Sequence, residues 1–246
     1  MVTSTNSTED MSIQEFIDNY REAFGSHAPL PIVFEYSDTR VADTEKIGGC
    51  FFKAFDRVRQ GEPVSLNADT IGCGGGKFHT GFTPMPERVP RFVSLTERYK
   101  ETPEQVLDFV RKEDIQITDK RYLNFSRIDK VESLDTMEGL LFFATPDMLS
   151  GLATWAFFDN NADDAVSAIF SSGCGSVVTL AVRENRIHGH RCFMGLLDPS
   201  VRPHIGENEL SFVIPRCRFE QMQHTMRRCC LFDTPAWQKV KARINT

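Results

Sequence analysis

Seven cysteines stand out in this 246-residue chain, and three of them share a setting. Cys50 follows Gly49, Cys73 lies between Gly72 and Gly74, and Cys174 lies between Gly173 and Gly175. Glycine permits backbone angles closed to other residues and lets the main chain approach a ligand closely. A buried structural cysteine needs no such neighbours. A cysteine that binds a metal or an iron–sulfur cluster uses them, because main-chain N–H groups then reach the sulfur. Cys50 has a second qualification. Gly48-Gly49 precede it, and Phe51, Phe55 and Val58 follow at helical spacing. The pattern puts Cys50 in the first turn of a helix ending near Gly61, where the helix dipole is expected to lower the thiol pKa. No C-x-x-C pair or ferredoxin run is present, so any shared site must be assembled from separate loops.

Two further groups have usable chemistry. Ile187-His188-Gly189-His190-Arg191-Cys192 alternates, and a strand there would align His188, His190 and Cys192 on one face. Those residue types bind transition metals, although the same alternation suits the polar face of a hairpin. Cys192 is alternatively a fourth ligand for the first trio. Gly72-Cys-Gly-Gly-Gly-Lys77 resembles an anion nest, with Gly72, Gly74 and Lys77 as contacts. It departs from the phosphate-loop pattern, because Ile71 stands where glycine is required and Phe78 follows the lysine. In Leu197-Asp-Pro-Ser-Val-Arg202, Arg202 is a candidate anion contact and Asp198 with Arg202 a candidate loop anchor. Cys217, Cys229 and Cys230 have no comparable setting.

The elements that must carry these residues follow from periodicity. Ser12 and Glu15 have capping-box spacing, and Ile13, Phe16, Ile17, Tyr20 and Phe24 share a helical face ended by Gly25. Residues 31–36 read as a strand, and the glycine-rich stretch 71–82 as a loop. Thr102-Pro103, Thr145-Pro146 and Thr234-Pro235 each pair an N-cap with proline at the first helical position. Leu140-Leu-Phe-Phe-Ala144 reads as a strand buried on both faces, feeding directly into the helix after Thr145. Residues 177–182, 187–197 and 210–214 read as strands, and 219–228 as a helix. The expected fold is α/β (or α+β): a mixed β-sheet flanked by helices, with antiparallel strands in the C-terminal half. Residues 1–11 are expected to form a flexible tail and 12–246 a single domain.

Composition narrows the class. Hydrophobic residues make up 41% and charged residues 25%, enough to build a core without disulfides or metals. A net charge of −6 argues against nucleic acid as a partner. No apolar run approaches membrane-spanning length, and the polar N-terminus lacks an export signal. An odd number of cysteines in such a chain points to free thiols and a cytoplasmic location.

The order of these motifs resembles the domain-of-unknown-function family number 169, also called the archaeal conserved-region family. The resemblance is carried by Cys50 at a helix start, Gly72-Cys73-Gly74 with Gly81 downstream, and the strand and helix across 139–157. It continues through Ser172-Gly-Cys174, Asp198-Pro-Ser-Val-Arg202 and residues 208–215, spanning about Ser12 to Arg228. It implies that Cys50, Cys73 and Cys174 occupy the family's cysteine positions. Cys192 stands where the family carries a cysteine followed by Gly, Asp and Arg, here more widely spaced as Gly195, Asp198 and Arg202. The family implies no activity. Its frequency in anaerobic bacteria and archaea suits oxygen-sensitive cysteine chemistry.

Three readings follow. The first is a cofactor-binding protein that holds an iron–sulfur cluster or transition metal on Cys50, Cys73, Cys174 and Cys192, with a small molecule or redox partner. The second is a metal-free thiol redox enzyme with Cys50 as nucleophile and Cys73 or Cys174 as resolving partner. The third is a non-enzymatic small-molecule or anion sensor using residues 72–81 and Arg202. A homodimer is the default assembly.

Overall fold

The computed structural model describes residues 10–245. Most of the proposed N-terminal tail lies outside the described residues. Asp10 and Met11 are held in place by Gln223, whose amide donates to Asp10 Oδ1 at 2.8 Å and accepts from the Met11 N–H at 3.1 Å.

Helix α1 (Ile13–Phe24) opens at Ser12, whose hydroxyl accepts from the Glu15 N–H at 3.2 Å. It buries Phe16, Ile17, Tyr20, Ala23 and Phe24 and ends where Gly25 takes φ +98°. Strand β1 (Ile32–Ser37) follows. A 3-10 turn (Phe51–Ala54) runs into α2 (Phe55–Arg59), then come β2 (Val64–Leu66), α3 (Gly74–His79) and the short α4 (Val89–Arg91). Helix α5 (Pro103–Glu113), capped by Thr102, leads to β3 (Tyr122–Arg127) and β4 (Met137–Ala144). Helix α6 (Pro146–Phe157) is capped by Thr145, and β5 (Val166–Ser167) is a two-residue edge. A π-helical turn (Gly175–Thr179) continues into α7 (Leu180–Arg186). Strands β6 (Cys192–Gly195) and β7 (Leu210–Pro215), then helices α8 (Arg216–Met222) and α9 (Pro235–Ile244), complete the chain.

The strands form one sheet in the order β2-β3-β1-β4-β7-β6-β5. Every pairing is antiparallel except β5 with β6. The α/β class and the mixed sheet flanked by helices are as expected. Antiparallel pairing, expected for the C-terminal half, also governs β1, β2, β3 and β4.

Central strand β4 shows how the sheet divides the interior. Leu140 and Phe142 point into one apolar core, with Phe16, Leu152, Trp155, Phe219 and Trp237 of the helices α1, α6, α8 and α9. Leu141 and Phe143 point into the other, with Phe51, Phe55, Ile71, Val177 and Val178. Alternate strand residues face opposite sides, so a strand between two covered faces reads as an unbroken apolar run.

Three local expectations are corrected. Residues 177–182, expected as a strand, belong to the π turn and α7, because burial at Val177, Val178, Leu180 and Ala181 outweighs the β preference of valine. Residues 187–197, expected as one strand, are extended in the sheet only from Cys192 to Gly195; His188 takes φ +48°. Within 71–82, expected to be a loop, Gly74–His79 is helix. Gly76 serves packing: a Cβ there would lie 3.0 Å from Ile71 Cγ2 and 3.4 Å from Phe51 Cδ1.

Candidate functional site

Cys50 and Cys73 are brought together by their own approach segments. Ile47 and Ile71 form an isolated parallel bridge, in which the Gly72 N–H donates to Ile47 O at 3.0 Å and the Ile47 N–H to Thr70 O at 2.8 Å. The segments touch so closely that a Cβ on Gly72 would sit 2.3 Å from Ile47 O. Each then turns into a helix. Cys50 is the N-cap of the 3-10 turn, and Cys73 the N-cap of α3, its sulfur accepting from the Gly76 N–H at 3.5 Å.

Cys174 arrives from the C-terminal half. Ser172 caps its helix, accepting at Oγ from the Gly175 N–H at 3.0 Å and at its carbonyl from the Ser176 N–H at 2.8 Å. Asp198, itself buried, accepts from the Gly173 N–H at 3.3 Å and from both the N–H and hydroxyl of Ser200 at 2.8 Å. Val201 fills the space beside Gly173, where a Cβ would meet it at 2.9 Å.

The three thiols and Asp198 share one electrostatic neighbourhood. Burial pushes the Cys50 thiol above its ordinary pKa, and Cys73 and Asp198 push it further; the Phe52 N–H and Lys53 oppose. Burial likewise raises Cys174, and Cys50, Cys73 and Asp198 add to the effect. The Asp198 charge also raises nearby Glu97 and Tyr99, behind burial in both cases. The expectation of an acidified Cys50 is therefore corrected. Its position at a helix start is real, but loss of water outweighs the few amides of a short helical segment.

Cys192 lies apart. It is fully buried in the core on the opposite face of the sheet, 3.6 Å from Met222 Sδ, and burial raises its pKa. It does not complete the Cys50, Cys73 and Cys174 group. The proposed row with His188 and His190 is not formed either: His190 Nε2 is 2.8 Å from Asp164 Oδ1 on the surface, and Cys192 points inward. Among the described residues, no three Cys, His, Asp or Glu side chains are grouped to hold a metal ion.

The anion contacts separate similarly. Arg202 donates to the carbonyls of Gly206 at 3.2 Å, Glu207 at 2.7 Å, and Glu209, so its guanidinium clasps its own loop. Asp198 and Arg202 are both anchors, but of different segments. Gly72 is spent on the close approach to Ile47. Gly74 and the half-buried Lys77 lie on α3, where the Gly76 and Lys77 N–H groups are taken by Cys73.

One constellation had no sequence signature. Buried His79, at the end of α3, places Nδ1 3.3 Å from Oε2 of buried Glu113, the last residue of α5. Ser171 donates to the other Glu113 oxygen, and Thr179 donates to His79 O. The cluster closes over Gly175: a Cβ there would meet Ser171 Oγ at 2.1 Å, and Glu113 Oε1 and His79 Nδ1 each at 3.1 Å. It thus packs beside the helix start that carries Cys174.

A mixed-sheet α/β protein with three helix-heading cysteines is the class that this fold and geometry define. The family profile for DUF169, described as an uncharacterised ArCR, matches residues 26–224, and the chain belongs to that family. No curated protein and no solved structure matches it. Among the described residues, no helix is long and apolar enough to cross a membrane.

Proposed function

We propose that the protein binds an iron–sulfur cluster through Cys50, Cys73 and Cys174. The supporting observation is their shared electrostatic neighbourhood at the heads of three helical segments, assembled from distant parts of the chain. Cysteine thiolate is the usual ligand of such clusters. A cluster of several atoms reaches sulfurs too far apart to meet on one ion, whose bonds to sulfur are about 2.3 Å. That fits three neighbouring thiols that are not grouped for a single metal ion. Binding iron also offsets the cost of ionising thiols in a buried site, because a coordinated thiol is held deprotonated. Three protein ligands leave one iron open to a small molecule, with electron exchange with a redox partner as the simpler role. Seven free cysteines suit a reducing cytoplasm.

The test is reconstitution with ferrous iron and sulfide under strict anaerobiosis. Bound iron, bound sulfide and visible absorption are read together. Cys73→Ser is the informative variant, since serine caps a helix well and the fold is kept; Cys230→Ser is the control. Iron and sulfide retained by the native protein and the control, and lost by Cys73→Ser, is the expected result. A native protein that holds neither overturns the reading.

The Ile47–Ile71 bridge favours a second reading, thiol exchange between Cys50 and Cys73 without metal. It requires a disulfide linking those two residues after mild oxidation, detected by peptide mapping.

A further inference from the structure

A cleft of about 370 Å³, with no cysteine in its lining, opens between α5 and the segment leading to Ser171. Its volume lies within the range of small-molecule sites. Phe109 and Phe170 meet edge to face, with centroids 5.9 Å apart, and form an aromatic wall. Lys100 Nζ stands 4.5 Å from the Phe170 centroid and 5.8 Å from that of Phe109. No carboxylate among the described residues lies within ion-pair reach of Lys100, whereas Lys112 in the same cleft is paired with Asp108 at 2.7 Å. Arg183 lines the cleft, held by its donation to Lys112 O at 2.6 Å.

Arg183 feels the charges of Glu184, Glu113 and Asp114, which leaves Lys100 as the cation of the cleft without an acidic partner among the described residues. Asp108 is shared between Lys112 and Arg111, the latter at 3.7 Å. Glu113 forms part of the wall, but its carboxylate is turned inward to Ser171 and His79. The cleft therefore offers an aromatic surface, one cation without an acidic partner and a second cation fixed by the main chain. Such a site pairs with a ligand carrying an apolar, flat body and one negative charge.

We propose that this cleft binds a small aromatic carboxylate, its ring against Phe109 and Phe170 and its carboxylate against Lys100 and Arg183. No cysteine lines the cleft, so the proposal stands or falls separately from cluster binding.

Benzoate is the probe, with benzylamine as its cationic counterpart of the same ring, both titrated against the full chain by ligand-observed NMR. Benzoate is expected to bind and benzylamine not. Lys100→Met keeps the apolar stem and removes the charge. It should weaken benzoate about tenfold, the equivalent of one charge-assisted contact, with an unchanged melting temperature. The exposed Lys239→Met control on α9 should bind as the native chain does, and so should Cys73→Ser. Equal binding of benzylamine and benzoate, or native benzoate affinity in Lys100→Met, overturns the proposal.

Discussion

The Gly173 N–H donates to the Asp198 carboxylate across 3.3 Å, fastening the helix that carries Cys174 to the turn after β6. The same carboxylate orders Ser200 and raises the thiols of Cys50 and Cys174. Asp198→Asn keeps an acceptor and removes the charge. Both thiols should then ionise at lower pH, and alkylation of the partly accessible Cys50 at a fixed mildly alkaline pH should speed up. Asp198→Ala removes the acceptor as well and leaves buried donors unpaired. We expect it to cost about 1–3 kcal/mol in urea unfolding. Unchanged alkylation in the asparagine variant would show that Asp198 does not govern the thiols.

Gly175 admits no side chain while Ser171, Glu113 and His79 hold their places. Gly175→Ala should force that cluster apart and cost about 1–3 kcal/mol, the usual penalty for overpacking a closed interior. Thermal unfolding checks it. A variant as stable as the native chain would mean that the cluster relaxes freely.

Arg218 is buried and pairs with Asp159, and it also donates to Ala156 O at 3.0 Å and Gln221 Oε1 at 2.9 Å. Removing the acid strands a buried cation. Asp159→Ala should cost about 3–5 kcal/mol, and Arg218→Met, which leaves an apolar stem, should cost less. The order of the two urea midpoints is the decisive reading.

Glu138 is held above the ordinary carboxylate range, mainly by burial, with Asn185 and Arg216 opposing. The folded protein therefore holds this proton more tightly than the unfolded chain. That contribution favours folding at low pH and is lost as pH rises through the raised folded value. Glu138→Gln removes the ionisable group and can still accept from Asn185. Its stability relative to the native protein should be greater at pH 7 than at pH 4, as measured by denaturant melts at both. The opposite order would place the carboxylate in a favourable setting.

Exposure divides the cysteines. Cys50, Cys73 and Cys230 are partly accessible, whereas Cys174, Cys192, Cys217 and Cys229 are buried. Burial pushes Cys217 and Cys229 each up to about 11. Iodoacetamide at neutral pH should modify the first three and spare the rest until the chain is denatured, as peptide mass spectrometry will show.

The elements legible in the sequence are those with local punctuation. Ser12, Thr102, Thr145 and Thr234 each cap the helix expected of them, because an N-cap and the residue it bonds lie three positions apart. β4 was legible because burial on both faces leaves an unbroken apolar run. Val177 and Val178 were not, since a valine pair looks alike in a buried strand and a buried helix. The glycines flanking Cys50, Cys73 and Cys174 marked residues that share an electrostatic neighbourhood, but not the Ile47–Ile71 bridge that joins the approaches to two of them. His188 and Cys192 fit an alternation that a single left-handed residue interrupts. His79 and Glu113 left no trace, for their contact depends on how α3 and α5 pack and on no shared motif.

The π turn over Gly175–Thr179 has one further effect. Leu180 N–H reaches back five positions to Gly175 O, so this turn holds one residue more than an α-helical turn. Each residue of an α-helix advances the chain by about 100° around the axis. The surplus residue therefore resets the angular phase between Cys174 and everything downstream. Leu180 and Ala181 keep their seats against the sheet, while the cysteine is dialled to a bearing that a regular helix of the same sequence would not give it. Chain length at this turn thus sets the bearing of Cys174 relative to the buried Leu180 and Ala181.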